Sequence, residues 1–174
     1  MKISLITPVY NEGENIGRYF EALRKIKYPN EDLELVVVND GSTDGSFEQL
    51  NASVEKLDFS VRIINLEKNS GRLIARQIGA KEAKYENLLF LDCKCELFPD
   101  AISNLESLNY QPVILNVIQK NDHIFDRFFW LIRRRHYRRE TNDGDYDHYI
   151  DRDNFDYSPK GTILFCDRKL FLES

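Results

Sequence analysis

Five short apolar runs constrain this chain more than any other feature: Ile3–Val9, Leu33–Val38, Val61–Asn65, Leu88–Asp92 and Val113–Ile118 recur along its 174 residues. The apolar stretches among them are continuous rather than alternating, the pattern of strands covered on both faces. Between the first two runs, Ile16, Phe20, Leu23 and Ile26 fall three or four apart, with Arg18, Glu21 and Lys25 on the other side, so a helix there has one face to bury. Between the third and fourth, Ala75, Gly79 and Ala83 repeat every four residues and predict a helix lying close against a sheet. A βαβαβαβ order of this kind specifies a mostly parallel, Rossmann-like α/β sheet with right-handed crossovers and helices on both faces.

In such a sheet a ligand site lies outside the carboxyl ends of the strands, where strand order reverses. Those ends are polar here. The first run ends in Thr7-Pro8-Val9-Tyr10-Asn11-Glu12-Gly13 and the second in Asn39-Asp40-Gly41-Ser42-Thr43-Asp44-Gly45; Asn69-Ser70-Gly71-Arg72 follows the third and Asp92 closes the fourth. Taken singly, each is a turn or a helix cap, with Ser42, Thr43 or Asp44 the capping residue. Capping places no demand on all four ends at once, and their convergence on one rim favours a ligand. An aromatic ring beside Asp40 can stack on a base whose ring N–H the carboxylate accepts, and Arg72 at a helix start suits a diphosphate. Neither a P-loop nor a G-x-G-x-x-G fingerprint occurs in the sequence.

The length suits one domain with its own core. With 42% apolar and 30% charged residues the composition is that of a soluble globular protein, and a net charge of −5 argues against a nucleic-acid partner. Cys93, Cys95 and Cys166 fall short of the four ligands of a structural zinc site and predict a reducing, cytoplasmic setting. Met1 is followed at once by Ile3-Ser4-Leu5-Ile6, and no stretch approaches the ~18 apolar residues of a membrane span, so neither a leader nor a span is expected.

Four segments in order resemble a known family. Ile6-Thr7-Pro8-Val9-Tyr10-Asn11-Glu12, Val37-Val38-Asn39-Asp40-Gly41-Ser42-Thr43-Asp44-Gly45-Ser46, Asn69-x-Gly71-x-x-x-Ala75-Arg76-x-x-Gly79 and Phe90-Leu91-Asp92 are similar to the motifs of the family 2 glycosyltransferases, which have the GT-A fold. The resemblance implies an inverting enzyme that passes a sugar from a nucleotide-sugar, most often a UDP-sugar, to a saccharide or lipid-linked acceptor. By position it implies that Pro8 and Tyr10 border the base, Glu12 and Asp40 hold base and ribose, Arg72 lies near the diphosphate, and Asp92 is the first carboxylate of a D-x-D motif for Mn²⁺ or Mg²⁺. Inversion also needs a base for the acceptor hydroxyl and a counter-charge for the leaving diphosphate.

Two departures qualify that expectation. The D-x-D motif reads Asp92-Cys93-Lys94, so the second carboxylate is missing. Either Glu96 reaches the metal or Lys94 supplies charge directly to the diphosphate, and metal dependence is expected to be weak or altered. The chain also stops at Ser174, after a strand like Gly161–Phe165 and a helix start at Asp167–Phe171 whose apolar face is Leu170 and Leu172. Residues 1–174 therefore read as a single domain cut short at its acceptor and base end. The catalytic base is expected beyond Ser174, with the Asp143–Asp156 region as the alternative. Both departures suit a second function, a nucleotide-sugar-binding module without catalysis. A sugar nucleotidyltransferase ranks lower, because Tyr10-Asn11-Glu12 stands where a Gly-rich basic loop would be.

Ile124–Arg139 carries six arginines against one aspartate, a local charge of +5, with Phe125, Phe128, Phe129 and Ile132 on one helical face. That composition suits a helix lying on the inner face of an anionic membrane. Glu140–Asp156 carries seven acids and one arginine, −6, and neutralisation of one block by the other is the reading placed first. Asn154–Gly161 reads as a loop on the acceptor side of the cleft.

Overall fold

The computed structural model describes residues 1–106, 113–115 and 163–173. In chain order these form β1 (Ile3–Val9), α1 (Gly13–Leu23), β2 (Leu33–Asn39), α2 (Ser46–Val54), β3 (Ser60–Asn65), α3 (Arg72–Glu82), β4 (Asn87–Phe90), α4 (Ala101–Glu106), β5 (Val113–Leu115), β6 (Ile163–Asp167) and α5 (Arg168–Glu173). The segments at 116–118, 124–139, 140–156 and 154–161 lie outside the described residues.

The strands make one six-stranded sheet in the order β3-β2-β1-β4-β6-β5. β1 pairs in parallel with both β2 and β4, and β2 with β3. The expected mostly parallel sheet is present, with one addition: β6 runs antiparallel between β4 and β5. Going from β1 to β2 to β3 the chain moves toward one edge, with α1 and α2 on one face. α3 then crosses back over the opposite face and delivers β4 to the far side of β1, as right-handed crossovers require. Strand order therefore reverses between β1 and β4.

Period-2 alternation divides the strands between two apolar layers. Ile3, Leu5 and Val9 of β1 with Leu35 and Val37 of β2 meet Ile16, Phe20 and Leu23 of α1 and Leu50 of α2. Ile6, Val36, Val38 and Phe90 face the other way, onto Ala75 and Ala80 of α3. Each large side chain buried in this way contributes about 1.5–3 kcal/mol of transfer free energy. The small row on α3 is needed: a Cβ on Gly79 would stand 2.5 Å from Ile6 Cγ2 and 3.3 Å from Val38 Cγ2.

Two expectations change at the strand ends. β4 stops at Phe90 rather than Asp92; Leu91 N–H still reaches Ile6 O at 3.0 Å, and the chain then turns, with Cys95 N–H donating to Asp92 O at 2.8 Å. Alternation nevertheless continues through the turn. Leu91, Cys93, Cys95 and Leu97 are buried while Lys94, Glu96 and Phe98 are exposed. On α5 the inward residue is Phe171, whose ring centroid lies 4.3 Å from that of Phe90, and Leu170 and Leu172 are the exposed ones. Phe90 is fully buried on the α3 side of the sheet, so it offers α5 a flat apolar seat that a ring fills better than a leucine.

Candidate functional site

The loops after β1 and β2 are tied to each other. Asn11, at φ 52, donates its N–H to Ser42 Oγ at 3.0 Å and accepts Thr43 N–H on its Oδ1 at 2.9 Å. Asparagine tolerates that left-handed backbone better than most residues. Glu12 N–H bonds Ser46 Oγ at 3.0 Å and Gly13 N–H bonds Asp44 Oδ2 at 3.1 Å, so two free amides at the start of α1 are satisfied by side chains from the next loop. Of the expected capping residues, Asp44 bonds the first amide of α1 as well as that of α2, Ser42 bonds Asn11 ahead of α1, and Thr43 takes part through its backbone N–H. Asp44 also accepts Ser46 N–H at 3.0 Å together with the Ser46 hydroxyl. These bonds, the Ser46 hydroxyl first, hold the Asp44 carboxyl below its ordinary pKa.

Asp40 ties in a third loop. Its Oδ1 accepts Ser70 N–H at 2.7 Å and its Oδ2 accepts Gly71 N–H at 2.9 Å, and the residue is only 2% exposed. Its carboxylate thus spends one lone pair per oxygen on the turn that starts α3, and it shapes the rim chiefly through that turn. Gly41, at φ 69, lets the β2 loop press directly on the same segment: a Cβ there would stand 2.5 Å from the Lys68 carbonyl carbon. Pro8 is half-buried at the end of β1, and Tyr10 is exposed on the rim.

At the reversal point between β1 and β4 the charged residues meet. Asp92, almost buried, has Arg76 Nη2 at 2.9 Å from one oxygen and Arg72 Nη1 at 3.5 Å from the other. The two arginines differ in setting. Arg72 has 55% of its side chain exposed, whereas Arg76 has 15%, with its guanidinium 5.9 Å over the Phe90 ring and its Nε buried without a hydrogen-bond partner. Lys94 Nζ lies 3.1 Å from Glu12 Oε1, so the turn after β4 is joined to the loop after β1 by one ion pair. Glu12 Oε2 meanwhile accepts Asn15 Nδ2 at 2.6 Å. Glu12, Lys94 and Asp44 line a cleft of about 290 Å³ at this point.

Of the residues singled out from the sequence, Glu12, Arg72, Asp92 and Lys94 thus form two neighbouring ion-paired groups. Glu96 is exposed, and among the described residues no three His, Cys, Asp or Glu side chains come together. Burial pushes the thiols of Cys93 and Cys95 up to about 12 and about 11, so both stay protonated parts of the core. Arg76 received no role from the sequence. Its spacing of four from Arg72 placed both on one helix face and was the available signal.

The model of glycosyl transferase family 2 matches residues 4–171. Among curated proteins, the chain is 35% identical over 109 residues to the teichoic acid poly(glycerol phosphate) polymerase of Staphylococcus epidermidis, covering 62% of this chain and 15% of that protein. It is 34% identical over 105 residues to the poly(ribitol-phosphate) beta-N-acetylglucosaminyltransferase TarP of Staphylococcus aureus, 60% of this chain and 32% of the relative. The chain therefore spans a third or less of these relatives. S. aureus TarS in complex with UDP-GlcNAc matches with a TM-score of 0.57 at 30% identity, over 62% of this chain and 30% of that one. The mannosyltransferase PcManGT of Pyrobaculum calidifontis, in complex with GDP-Man and Mn²⁺, matches with a TM-score of 0.64 over 76% of this chain and 38% of that one; at 22% identity this shows the fold alone. No helix among the described residues is long and apolar enough to cross a membrane. With a GT-A-type sheet, a charged rim at its reversal point and a family match along nearly its whole length, the chain belongs to glycosyl transferase family 2.

Proposed function

We propose that the rim binds a nucleotide-sugar, with UDP as the nucleotide, and that the protein passes the sugar to a saccharide or lipid-linked acceptor with inversion. The observation that carries this reading is the guanidinium pair of Arg72 and Arg76 at the start of α3, beside the nearly buried Asp92 at the reversal point. A helix start with a guanidinium within reach is a ready site for a diphosphate. In this reading Pro8 and Tyr10 border the base, Asp40 presents the Ser70–Gly71 turn beneath it, Glu12 faces the ribose, and Arg72 meets the phosphates. TarS binds UDP-GlcNAc, which supports the choice of UDP and places UDP-GlcNAc first in a donor panel.

The reaction requires a base to take the acceptor hydroxyl's proton, and none of the described residues is assigned that task. The acceptor side is assigned to the later part of the protein, and the setting is cytoplasmic. The two curated relatives are a polymerase of poly(glycerol phosphate) and a transferase to poly(ribitol-phosphate), so polyol-phosphate chains head the acceptor panel.

The test is incubation with a panel of UDP-sugars, with and without these acceptors, reading UDP release and the anomeric configuration of the product. Transfer with inverted configuration is the expected result. Saturable UDP binding with neither transfer nor donor hydrolysis would make the protein a binding module, and absence of binding to any nucleotide-sugar would remove the donor reading.

A further inference from the structure

The family likeness implies a divalent cation at Asp92, and the residues around Asp92 do not fit one. A divalent metal bridging a diphosphate is held by hard oxygen ligands with free lone pairs. Here both oxygens of Asp92 face guanidinium groups, at 2.9 Å and 3.5 Å. The position of a second carboxylate holds Lys94, whose ammonium would repel a cation and is committed to Glu12 at 3.1 Å. Glu96 faces solvent, and no three-ligand group forms among the described residues.

We infer that this protein neutralises the donor's diphosphate with side-chain cations that change partners, Lys94 leaving Glu12 and Arg72 leaving Asp92, while Arg76 stays on Asp92 as its permanent counter-ion. The inference rests on the nucleotide-sugar reading and names the device by which that site holds its ligand. Exposure separates the three cations. Lys94 and Arg72 have 65% and 55% of their side chains in solvent, and each leaves behind a carboxylate that keeps a second partner, Asn15 Nδ2 on Glu12 and Arg76 on Asp92. Arg76 is enclosed by Asp92 and the Phe90 ring and cannot leave without stranding a nearly buried carboxylate. A diphosphate offers several oxygens and a double charge, so it outcompetes a single carboxylate for a mobile cation. Arg76 is accordingly a positioning residue: it keeps Asp92 in place and closed to metal.

Titration of the intact chain with UDP and with uridine, each in excess EDTA and in saturating Mn²⁺, tests this. UDP affinity should be the same within about twofold in the two conditions, and Lys94→Ala should lower it about tenfold, the loss of one charge-assisted contact, with uridine unaffected and Lys94→Arg restoring most of it. The Glu12→Gln/Lys94→Ala double variant should keep the lowered UDP-to-uridine ratio. Recovery of the ratio would mean that Lys94 only neutralises Glu12, and would overturn the inference. Arg76→Gln should weaken UDP binding in EDTA and gain a Mn²⁺ response, because it opens Asp92 to metal; a merely structural arginine would give no such response. Binding that requires Mn²⁺ in the unaltered protein, with Lys94→Ala silent, would overturn the inference alone. Absence of UDP binding under both conditions would overturn the donor reading and the inference together.

Discussion

Gly71 N–H donates to one oxygen of the Asp40 carboxylate at 2.9 Å, while the neighbouring Ser70 N–H takes the other oxygen, so a single buried side chain ends β2 and starts α3. Asp40→Asn keeps the shape but turns one acceptor into an NH₂ donor. One backbone N–H then loses its partner and faces another donor, at an expected cost of about 1–3 kcal/mol. Urea unfolding should show a lowered midpoint with an unchanged slope, and UDP affinity should fall with it because Arg72 follows directly in the chain. An unchanged midpoint would mean the clamp adds nothing to the fold.

Gly41→Ala should be at least as damaging. Its φ of 69 carries a left-handed penalty of about 1–2 kcal/mol for any residue with a Cβ, and that Cβ would lie 2.7 Å from Asn69 N, a backbone atom with little room to retreat. Gly17→Ala is the control: it lies exposed on α1 with nothing within 4 Å of the new atom, and helix propensity favours it by up to about 1 kcal/mol. Thermal denaturation should rank Gly41→Ala below the parent and Gly17→Ala at or above it.

Asp44 makes the rim acid-sensitive. Its carboxyl has a lowered pKa in the folded protein, first through the Ser46 hydroxyl bond. A group depressed on folding contributes stability that is fully present above the ordinary aspartate value of about 3.9 and is lost as pH falls through the lowered folded value. Melting temperatures of the parent and of Asp44→Asn should therefore differ near neutrality and converge in acid. A constant difference across that range would assign the effect of the substitution to something other than charge.

The cysteines should be silent until the protein opens. Burial pushes Cys93 and Cys166 up to about 12 and Cys95 up to about 11, leaving almost no thiolate at neutral pH. Modification by an aromatic disulfide reagent should proceed at the rate of unfolding, and fast labelling of native protein would contradict the burial described.

The parallel half of the sheet was legible because buried parallel strands are apolar on both sides: β1 and β2 are mostly apolar and buried along their length, whereas β3, at the sheet edge and interrupted by Arg62, carries the signature only in Ile63-Ile64. The rim followed from the topology, since loops at the carboxyl ends have nowhere else to converge. What escaped was set by contacts between residues distant in sequence. β6 slots between β4 and β5, although nothing in Ile163–Asp167 itself says which neighbours it takes. Ser42 and Asp44 have the side chains of caps, but only the fold reveals that they bond Asn11 and Gly13 on a different loop. Lys94 stood out as an anomaly in sequence, whereas its partner Glu12 needed β1 and β4 to be side by side. Arg76 stands in the sequence only as a member of a motif, although helical spacing from Arg72 pairs the two.

The ion-paired groups at the reversal point also bear on how fast a ligand arrives. Arg72, Arg76 and Lys94 set three positive charges against the three negative charges of Asp92, Glu12 and Asp44, no net local excess in a protein whose net charge is −5. An approaching diphosphate is repelled by the whole and attracted by the rim's cations only within roughly a Debye length, about 8 Å at physiological salt. Long-range steering therefore has little to work with here. Encounter is left to diffusion, and the discrimination this rim exerts on anions falls on how long they stay.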